Sequence, residues 1–350
     1  MTHYTLSRRA LVAGMAGGAA ALMLPGRQAR AAGGEIVVSN WGGDWNDRTQ
    51  RLMEKPLLED RGFVLSHDLG MEADRKAKLM TEKRIRRASV DVVHLNSADA
   101  FEMHNQGVVA DLDMAKIPNA ADIVPGLEAP YFIPWLYSGV VIIYNRDKVK
   151  APPRSYADLW KPEWAGRIGL TNQLYFNYMM MGGLVAKGDM TSVDVGKDRM
   201  LDFAATQRPR LYAAHQQLQT GLANGEVDIA VNYKARGLQW AAGGMPLGIQ
   251  YPEEGAISTV FGACLAEYAP HRDGGYAYLD AMLDPGAMAR LSEASFYAPA
   301  NTRAELSPEL RDTIDFSDTE RAALRYPDYA YVARNTADWL DWWTQSFARD

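Results

Sequence analysis

Short apolar segments alternate with stretches of helical periodicity along almost the whole chain. Strands are predicted by the segments that are rich in β-branched residues and end at a turn or a polar residue. These segments are EIVVSN, VDVVHLN, GVVIIYN, RIGLTN, VDIAVNY and ISTVFGACL. Between them we predict helices, including residues 98–106, closed by Gly107, and PRLYAAHQQLQTGLANG, closed by Gly225. This alternation is typical of an α/β fold in which helices cover a parallel sheet.

The chain is long enough for two lobes, with 350 residues of which 47% are hydrophobic. Two predicted strands, YSGVVIIYN and EEGAISTVFGACL, begin at glycine-containing turns and are candidates to cross from one lobe to the other. We therefore expect the first lobe to comprise residues 35–137 plus 262–304. The second lobe then comprises residues 138–261 plus 305–350.

The first 31 residues differ from the rest of the chain. Arg8 and Arg9 precede a run rich in Ala, Gly and Leu, and Ala29-Arg30-Ala31 forms a small-x-small cleavage site. This pattern predicts a signal peptide of the twin-arginine type, which carries a folded chain across the inner membrane. An ordinary secretion signal that contains two arginines remains an alternative. Either signal predicts a periplasmic protein, and no later segment has the apolar length needed for stable membrane insertion.

The chain is acidic, which bears on its partners. Its formal net charge is −6, and the first 31 residues hold four arginines and no acid, so the remainder carries −10. This balance argues against nucleic acid and against anionic lipid as partners.

The groups that an enzyme needs do not occur at a convincing spacing. The histidines are scattered, no metal-binding pair of cysteines or histidines is present, and Asp111 and Asp113 lack the rest of a calcium loop. Cys264 is the only cysteine and lies in a predicted buried strand. We therefore predict no catalytic residue, no metal and no cofactor. An exported cofactor enzyme remains an alternative, because twin-arginine signals often carry such cargo.

Aromatic and polar residues gather where the predicted strands end, which is the ligand-binding edge of a doubly wound sheet. Core packing is the alternative for each aromatic residue taken alone. The predicted ligand-binding residues are Trp41, Gly42, Gly43, Asn96, Ser97, Trp135, Tyr137, Ser138, Asn172, Gln173, Tyr175, Asn177, Tyr233, Lys234, Arg236, Phe261 and Tyr297.

Several longer segments together resemble one family. They are NWGGDW, FIPWLYSGVVIIYN, SYADLWKPEWAGRIGLTN, LANGEVDIAVNY and LDPGAMARLSEASFYAPAN. The chain resembles the periplasmic solute-binding proteins of ABC importers, in the branch that includes the spermidine/putrescine-binding proteins. The resemblance implies a type II fold with two parallel-sheet lobes joined by crossing strands. It also implies a monomer that closes on a small-molecule ligand and delivers it to an inner-membrane ABC permease.

The chain departs from that branch where polyamine binders carry acidic residues. The segment after RIGL reads TNQLYFNYMM, without an acid, and Gly262 occupies the second position. Burying a dication without carboxylates costs several kcal/mol per charge, whereas cation–π contacts return about 2 kcal/mol. With Lys234 and Arg236 nearby, we predict an organic anion or zwitterion that carries a carboxylate or phosphonate. Two alternatives remain, a polyamine bound through Asp44, Glu72 or Glu253, and a ferric ion bound by Tyr175, Tyr178 or Tyr233.

Overall fold

A computed structural model of the protein describes residues 33–348, so the predicted signal peptide lies outside the described residues. The strands are β1 (Gly34–Asn40), β2 (Phe63–Leu69), β3 (Val92–Asn96), β4 (Ile133–Asn145), β5 (Ile168–Thr171), β6 (Arg210–Tyr212), β7 (Ile229–Tyr233), β8 (Leu247–Gln250), β9 (Ile257–Leu265) and β10 (Ala298–Pro299). The α-helices are α1 (Gly43–Thr49), α2 (Lys55–Leu57), α3 (Glu72–Lys83), α4 (Ser97–Asn105), α5 (Tyr175–Lys187), α6 (Val193–Gln207), α7 (His215–Asn224), α8 (Lys234–Ala242), α9 (Arg272–Met282), α10 (Pro285–Ser295), α11 (Pro308–Ile314), α12 (Asp318–Ala322) and α13 (Tyr329–Trp342). A π-helical turn, Gln50–Glu54, joins α1 to α2, and a second, Trp343–Phe347, extends α13.

The strands of both lobes belong to one mixed sheet, in the order β2-β1-β3-β9-β4-β7-β5-β6. At one end β1 runs parallel to β2 and β3, and at the other end β5 runs parallel to β6 and β7. Between them, β9 is antiparallel to β3 and β4, and β4 is antiparallel to β7. The two-lobed α/β fold predicted from the sequence is confirmed, with antiparallel crossing strands between two parallel groups.

The crossing strands β4 and β9 pair with each other, and each also pairs with one parallel group, β9 with β3 and β4 with β7. The first half of β4 pairs with β10 and its second half with β7 and β8. Two glycines permit the close pairing of β4 with its surroundings. A Cβ at Gly139 would lie 2.9 Å from the Cβ of Ala256, and one at Gly262 would lie 2.0 Å from the carbonyl oxygen of Ile133. The exact lobe boundaries given above stay a prediction.

The helix α13, near the end of the chain, links the two lobes. Its Trp339 and the following Trp343 are buried in a hydrophobic cluster with Tyr178 of α5. The same helix packs against α4, which follows the first-lobe strand β3. The last part of the described chain therefore contacts both sides of the molecule.

Two elements differ from the sequence predictions. The strand β2 was not predicted, because it is an edge strand whose exposed positions, such as Val64 and Ser66, break the apolar pattern. The predicted helix over PRLYAAHQQLQTGLANG is wrong at its start, since Arg210–Tyr212 forms β6 and α7 begins only at His215. Pairing of Arg210 with Gly169 on β5 overrides the local helical preference.

Among residues 33–348, no helix combines the length and the apolar character that a membrane crossing requires.

Candidate functional site

The candidate site is the cleft between the lobes, at the carboxyl ends of β1, β3, β5 and β7. The lobes touch across this cleft. The Ser97 hydroxyl, at the start of α4, donates a hydrogen bond of 2.9 Å to the Tyr329 hydroxyl of α13. At another point, the Gln239 amide of α8 donates to the Ser295 carbonyl of α10. These hydrogen bonds join elements that the sequence analysis assigns to different lobes.

Aromatic rings form the centre of the cleft. We call Trp41, Trp45, Tyr233, Phe261 and Tyr297 the aromatic wall. Phe261, on β9, lies in the middle, with ring centroids 5.9 Å from Trp41, 5.8 Å from Trp45, 5.7 Å from Tyr233 and 5.4 Å from Tyr297. Because β9 crosses between the lobes, its phenylalanine joins tryptophans of the first lobe to a tyrosine of the second.

The Trp41 ring is held in place by the turn that follows β1. Gly42 and Gly43 have φ angles of 75° and 59°, which favour glycine, and the Trp41 N–H donates to Oδ1 of Asn40 at 2.8 Å. The guanidinium of Arg75 lies 4.6 Å from the Trp41 ring centroid and donates to the backbone carbonyl of His94. The glycine pair and the cation–π contact together fix this tryptophan before any ligand arrives.

A chain of hydrogen bonds lies behind the aromatic wall. Nε2 of His94 is 2.9 Å from the Tyr278 hydroxyl, which donates to Glu54 at 2.9 Å, and the other Glu54 oxygen is 2.8 Å from Nε2 of His67. Burial, with the positive charge of Arg75, lowers the pKa of His94 to about 3, so His94 is neutral. Because the phenol donates to Glu54, His94 donates from Nε2 and its Nδ1 is an acceptor.

One end of the cleft carries acids, and we call Glu72, Asn96 and Asp99 the acidic end. Oε1 of Glu72 accepts the backbone N–H of Asn96 at 2.9 Å and its amide at 3.1 Å, and Asp99 accepts the same amide at 2.8 Å. Burial, with the neighbouring charge of Asp99, raises the pKa of Glu72 to about 8. Across the cleft, burial and the charge of Asp99 raise the pKa of Tyr175 to about 12.

The positive charges near the acidic end are engaged elsewhere. Lys76 pairs with Asp99 and, at 2.6 Å, with Glu102. Arg75 is directed at backbone carbonyls beneath Trp41. Glu72 has no basic side chain within 4 Å among the described residues. This carboxyl group therefore lies in a site that a cationic group would stabilise.

The opposite end of the cleft carries a cation, and we call Arg236, His215 and Tyr297 the basic end. Nη1 of Arg236 donates to Gln239 at 3.0 Å, and within residues 33–348 no carboxylate lies within 4 Å of this guanidinium. Its buried Nε has no hydrogen-bond partner in the same part of the chain. A cavity of about 270 Å³ opens here between the lobes, bounded by Asp44 on one side and by Arg236, His215 and Gln239 on the other.

His215 is fixed as a hydrogen-bond donor at the basic end. Burial and the charge of Arg236 lower its pKa to about 3, so the ring is neutral. Oδ1 of Asn232 accepts the Tyr233 N–H, so its amide nitrogen faces Nδ1 of His215 at 3.0 Å. The proton of His215 is therefore on Nε2. A guanidinium and an imidazole N–H together suit a carboxylate.

Several buried polar atoms of the cleft elements have no partner among the described residues. Both side-chain polar atoms of Asn177, which is fully buried on the first turn of α5, are unpaired, as are Thr259 Oγ1 and Trp45 Nε1. Buried polar groups in native proteins are almost always hydrogen-bonded. These atoms are the positions at which a bound ligand or ordered water would supply the missing bonds.

Other predicted site residues do not reach the cleft centre. Trp135 is fully buried in the core, 5.9 Å from Trp45 and 5.4 Å from His94 between ring centroids. Tyr137 bonds to Asp315 and Arg321, and Lys234 bonds to the Asp315 carbonyl and lies over Phe316. These two side chains belong to contacts with the segment between α11 and α12, outside the aromatic wall and both ends of the cleft.

The remaining predicted residues are peripheral or structural. Ser138 accepts the N–H of Ala235 and is buried. Asn172 is exposed and accepts the Trp343 indole N–H, while Gln173 accepts the N–H of His215. Tyr178 donates to the Val231 carbonyl in the core, so Tyr175, Tyr178 and Tyr233 do not form a ferric site. No cluster of three or more potential metal-binding side chains occurs in residues 33–348.

Carboxylic acids do lie beside the cleft, although neither of the two segments compared with polyamine binders carries one. Gly262 says nothing about ligand charge, because a side chain there would overlap the Ile133 carbonyl. Carboxylates instead come from Glu72 and Asp99, which follow β2 and β3. Glu72 was predicted only as an alternative, because β2 was missed, and Asp99 was not predicted, although the strand that precedes it, β3, was. Trp45 and His215 were also absent from the predicted set.

Comparisons with known proteins identify the family. Residues 65–343 match the model of the family described as bacterial extracellular solute-binding protein. The spermidine/putrescine-binding periplasmic protein of Escherichia coli (strain K12) is 24% identical over 245 residues, covering 67% of this chain and 70% of that protein. The gamma-aminobutyric acid-binding protein of Pseudomonas aeruginosa is 24% identical over 235 residues, covering 64% and 65%.

A solved structure shares the fold. An ABC transporter substrate-binding protein from Bradyrhizobium japonicum USDA 110 superposes with a TM-score of 0.79 and 20% identity, covering 90% of this chain and 99% of that one. The resemblance seen in the sequence is thereby confirmed. The chain belongs to the bacterial extracellular solute-binding proteins.

Proposed function

We propose that the ligand is a small zwitterion with an ammonium group at one end and a carboxylate at the other. The observation that carries this proposal is the opposite charge of the two ends of one cleft. Glu72 and Asp99 lie at one end, and Arg236 with the donor His215 lies at the other. An amino acid with a short apolar chain between its charged groups complements this arrangement.

The acidic end favours an ammonium group because burial and the charge of Asp99 destabilise the ionised form of Glu72. Its pKa of about 8 reflects burial and the charge of Asp99. A bound cation restores the ionised form and removes that cost. Tyr233 and Tyr175 of the other lobe close this end and offer hydroxyl oxygens.

The basic end favours a carboxylate because a planar guanidinium binds one through two hydrogen bonds. The cavity of about 270 Å³ at this end is lined by Asp44 as well as by His215, Arg236 and Gln239, so it would hold the carboxylate end of the ligand and not the whole ligand. Aromatic wall residues between the two ends cover the apolar part of the ligand. The gamma-aminobutyric acid-binding relative supports this ligand class.

A polyamine is the second candidate, and the acidic end is the observation that favours it. The spermidine/putrescine-binding relatives support the same choice. Against it stands Arg236, because a second ammonium group near an unpaired guanidinium is repelled in a closed cleft.

A thermal-shift screen followed by calorimetry tests the ligand class. Amino-acid zwitterions of increasing chain length should raise the melting temperature, and spermidine and putrescine should not. A ligand at a hundredfold over Kd adds about 2.7 kcal/mol to folding stability. Stabilisation by polyamines alone would reject the zwitterion in favour of the second candidate, and stabilisation by simple dicarboxylates alone would reject both.

We also propose that the chain is exported to the periplasm by the predicted twin-arginine signal and works there as a monomer with an inner-membrane permease. Arg8 and Arg9, the apolar run and the Ala29-Arg30-Ala31 site support the export route. A change of both arginines to lysine should retain the precursor inside the cell. Normal export of that variant would point to the ordinary secretion route.

A further inference from the structure

The loop after α3 concentrates positive charge on an acidic protein. Lys83, Arg84, Arg86 and Arg87 follow one another around Ile85, and all five side chains are exposed. The chain as a whole carries −6. The net charge of the whole chain does not reveal this cluster, because the electrostatic field at a nearby surface depends on charges within about 8 Å at physiological salt.

The arginine side chains of this loop have no ion-pair or hydrogen-bond partner among the described residues. Exposed arginines elsewhere form ion pairs, such as Arg154 with Glu253 and Arg210 with Glu226. Within residues 33–348, the side chains of Arg84, Arg86 and Arg87 form neither an ion pair nor a hydrogen bond. The one nearby acid on the same turn, Glu82, accepts the backbone N–H of Ser89.

The backbone of the loop presents these side chains in a defined geometry. The N–H of Arg87 bonds to the Glu82 carbonyl and that of Arg86 to the Lys83 carbonyl, which is the double hydrogen bond of a Schellman helix end. Arg86 therefore takes the left-handed position, with φ of 50°. Helices α5 and α7 place Gly188 and Gly225 in the left-handed position at their ends, whereas α6 and α10, like α3, place a non-glycine residue there, Arg208 and Phe296.

Helix stabilisation does not account for the whole loop. Basic residues in a last helical turn interact well with the helix dipole, which explains Lys83 and Arg84. Arg86 and Arg87 lie beyond the helix, and Arg86 strains the backbone where glycine would not. Ile85 is 71% exposed, the largest exposure among the large hydrophobic side chains of the described chain.

We propose that this loop binds the surface of an anionic lipid bilayer. Three arginines without partners among the described residues complement lipid phosphates and anionic headgroups, and an exposed isoleucine among them inserts into the apolar boundary, as at other peripheral membrane sites. Lys83 adds a fourth charge nearby, although its Nζ donates to the Gln106 carbonyl at 2.6 Å. The binding is peripheral and differs from membrane insertion. A soluble polyanion would satisfy the arginines but leave Ile85 in water.

The position of the loop leaves the cleft open to ligand. The helix α3 starts at Glu72, beside the carboxyl end of β3, and runs back to the opposite edge of the sheet. There Ala88 donates to the Tyr268 carbonyl just before β3 begins. A protein held by this loop therefore keeps its cleft directed away from the lipid.

Vesicle flotation tests the proposal with the chain from residue 33 onward, the folded part described above. Vesicles that contain phosphatidylglycerol should float the protein, and vesicles of phosphatidylcholine alone should not. The double change Arg84→Gln and Arg87→Gln should reduce binding about tenfold, and Ile85→Ser should reduce it severalfold. The control Arg146→Gln with Lys150→Gln removes the same charge from another exposed site and should change binding less than about twofold.

Three results would overturn the proposal. They are equal binding to neutral and anionic vesicles, equal losses in the double variant and its control, and full binding by Ile85→Ser with matching affinity for polyphosphate. The last would assign the loop to soluble polyanions. Circular dichroism of each variant separates a lost surface from a lost fold, and the cleft proposal is unaffected, because all variants should bind the cleft ligand as the parent does.

Discussion

The acidic and basic ends of the cleft differ in how completely the protein satisfies them. At the acidic end, Glu72, Asn96 and Asp99 are joined to one another by hydrogen bonds, and Lys76 neutralises part of the charge. At the basic end, the Arg236 guanidinium donates to Gln239, and its buried Nε has no partner within residues 33–348. The acidic end is therefore organised before a ligand binds, whereas the basic end depends more on the ligand to complete its hydrogen bonds. A ligand would lose least by docking on the first lobe before the second closes over it.

The basic end should show the largest loss of affinity. Arg236→Met removes the cation that we place against the ligand carboxylate, and we expect a cost of about 2–5 kcal/mol in calorimetry with a zwitterionic ligand. Lys234→Met is the matched control, because it removes the same charge two residues away, where Lys234 contacts Asp315 and Phe316. Equal losses in the two variants would mean that net charge, and not contact, carries the effect.

The acidic end should couple binding to pH. Because the pKa of Glu72 is raised from 4.5 to about 8, the ligand-free protein binds a proton that an ammonium group displaces. Affinity should rise with pH between about 5 and 8, with proton release seen as buffer-dependent enthalpy.

The raised pKa of Glu72 also makes the folding stability of the ligand-free protein depend on pH. Folding favours the protonated form of Glu72, so the ligand-free protein should lose stability as pH rises from 4.5 towards 8. Glu72→Gln should remove both pH effects and weaken ammonium binding by about 1.5–3 kcal/mol. Glu102→Gln, at a carboxylate that pairs with Lys76, should keep them. A pH-independent affinity in the parent protein would show that no cation binds at Glu72.

The aromatic wall should separate affinity from stability. Trp41→Ala should weaken binding by about 1–2 kcal/mol with a small change in the free energy of unfolding. Trp135→Ala should instead lower the free energy of unfolding by about 3–5 kcal/mol, because its ring fills the core behind Trp45. Urea titrations and calorimetry on both variants measure this contrast. A pure stability loss at Trp41 would place it in the core as well.

The contact between Ser97 and Tyr329 should have the smallest effect. Tyr329→Phe removes the hydroxyl and should shift the closing equilibrium by about 0.5–1.5 kcal/mol. Small-angle scattering should show a smaller radius of gyration with saturating ligand in the parent, and a partial return towards the open value in the variant. An unchanged radius in the parent on ligand addition would indicate a rigid protein with a preformed pocket.

The fold could be predicted further than the site. Runs of β-branched residues predict buried strands such as GVVIIYN, and Gly42 and Gly43 indicate the turn after β1. The edge strand β2 and the short β6 could not be found, because their exposed residues leave a weak pattern. Missing β2 hid the start of α3 and with it Glu72. The charge of the site therefore depended on an element that sequence alone did not reveal.

The direction in which each side chain points was the second feature of the site that the sequence did not predict. Tyr233, Lys234 and Arg236 are neighbours in sequence, yet Tyr233 and Arg236 face the cleft while Lys234 turns to Asp315. Trp135 and Phe261 sit on adjacent crossing strands, but one faces the core and the other the wall. Strand-end position predicted proximity to the cleft, while register and helix phase decide which side chains enter it.

The pairing of β3 with β9 also bears on how the protein reaches its native state. Val92 on β3 pairs with Leu265 on β9, so the central sheet cannot close until most of the chain is available. Contacts between such distant segments make folding slow, because a long loop loses its freedom before the contact forms. During that delay β3 presents an unpaired apolar edge that is open to aggregation. We expect refolding to be slowed most by substitutions that weaken the β3–β9 ladder, and a chain that completes this pairing before it leaves the cytoplasm would avoid the exposed intermediate altogether.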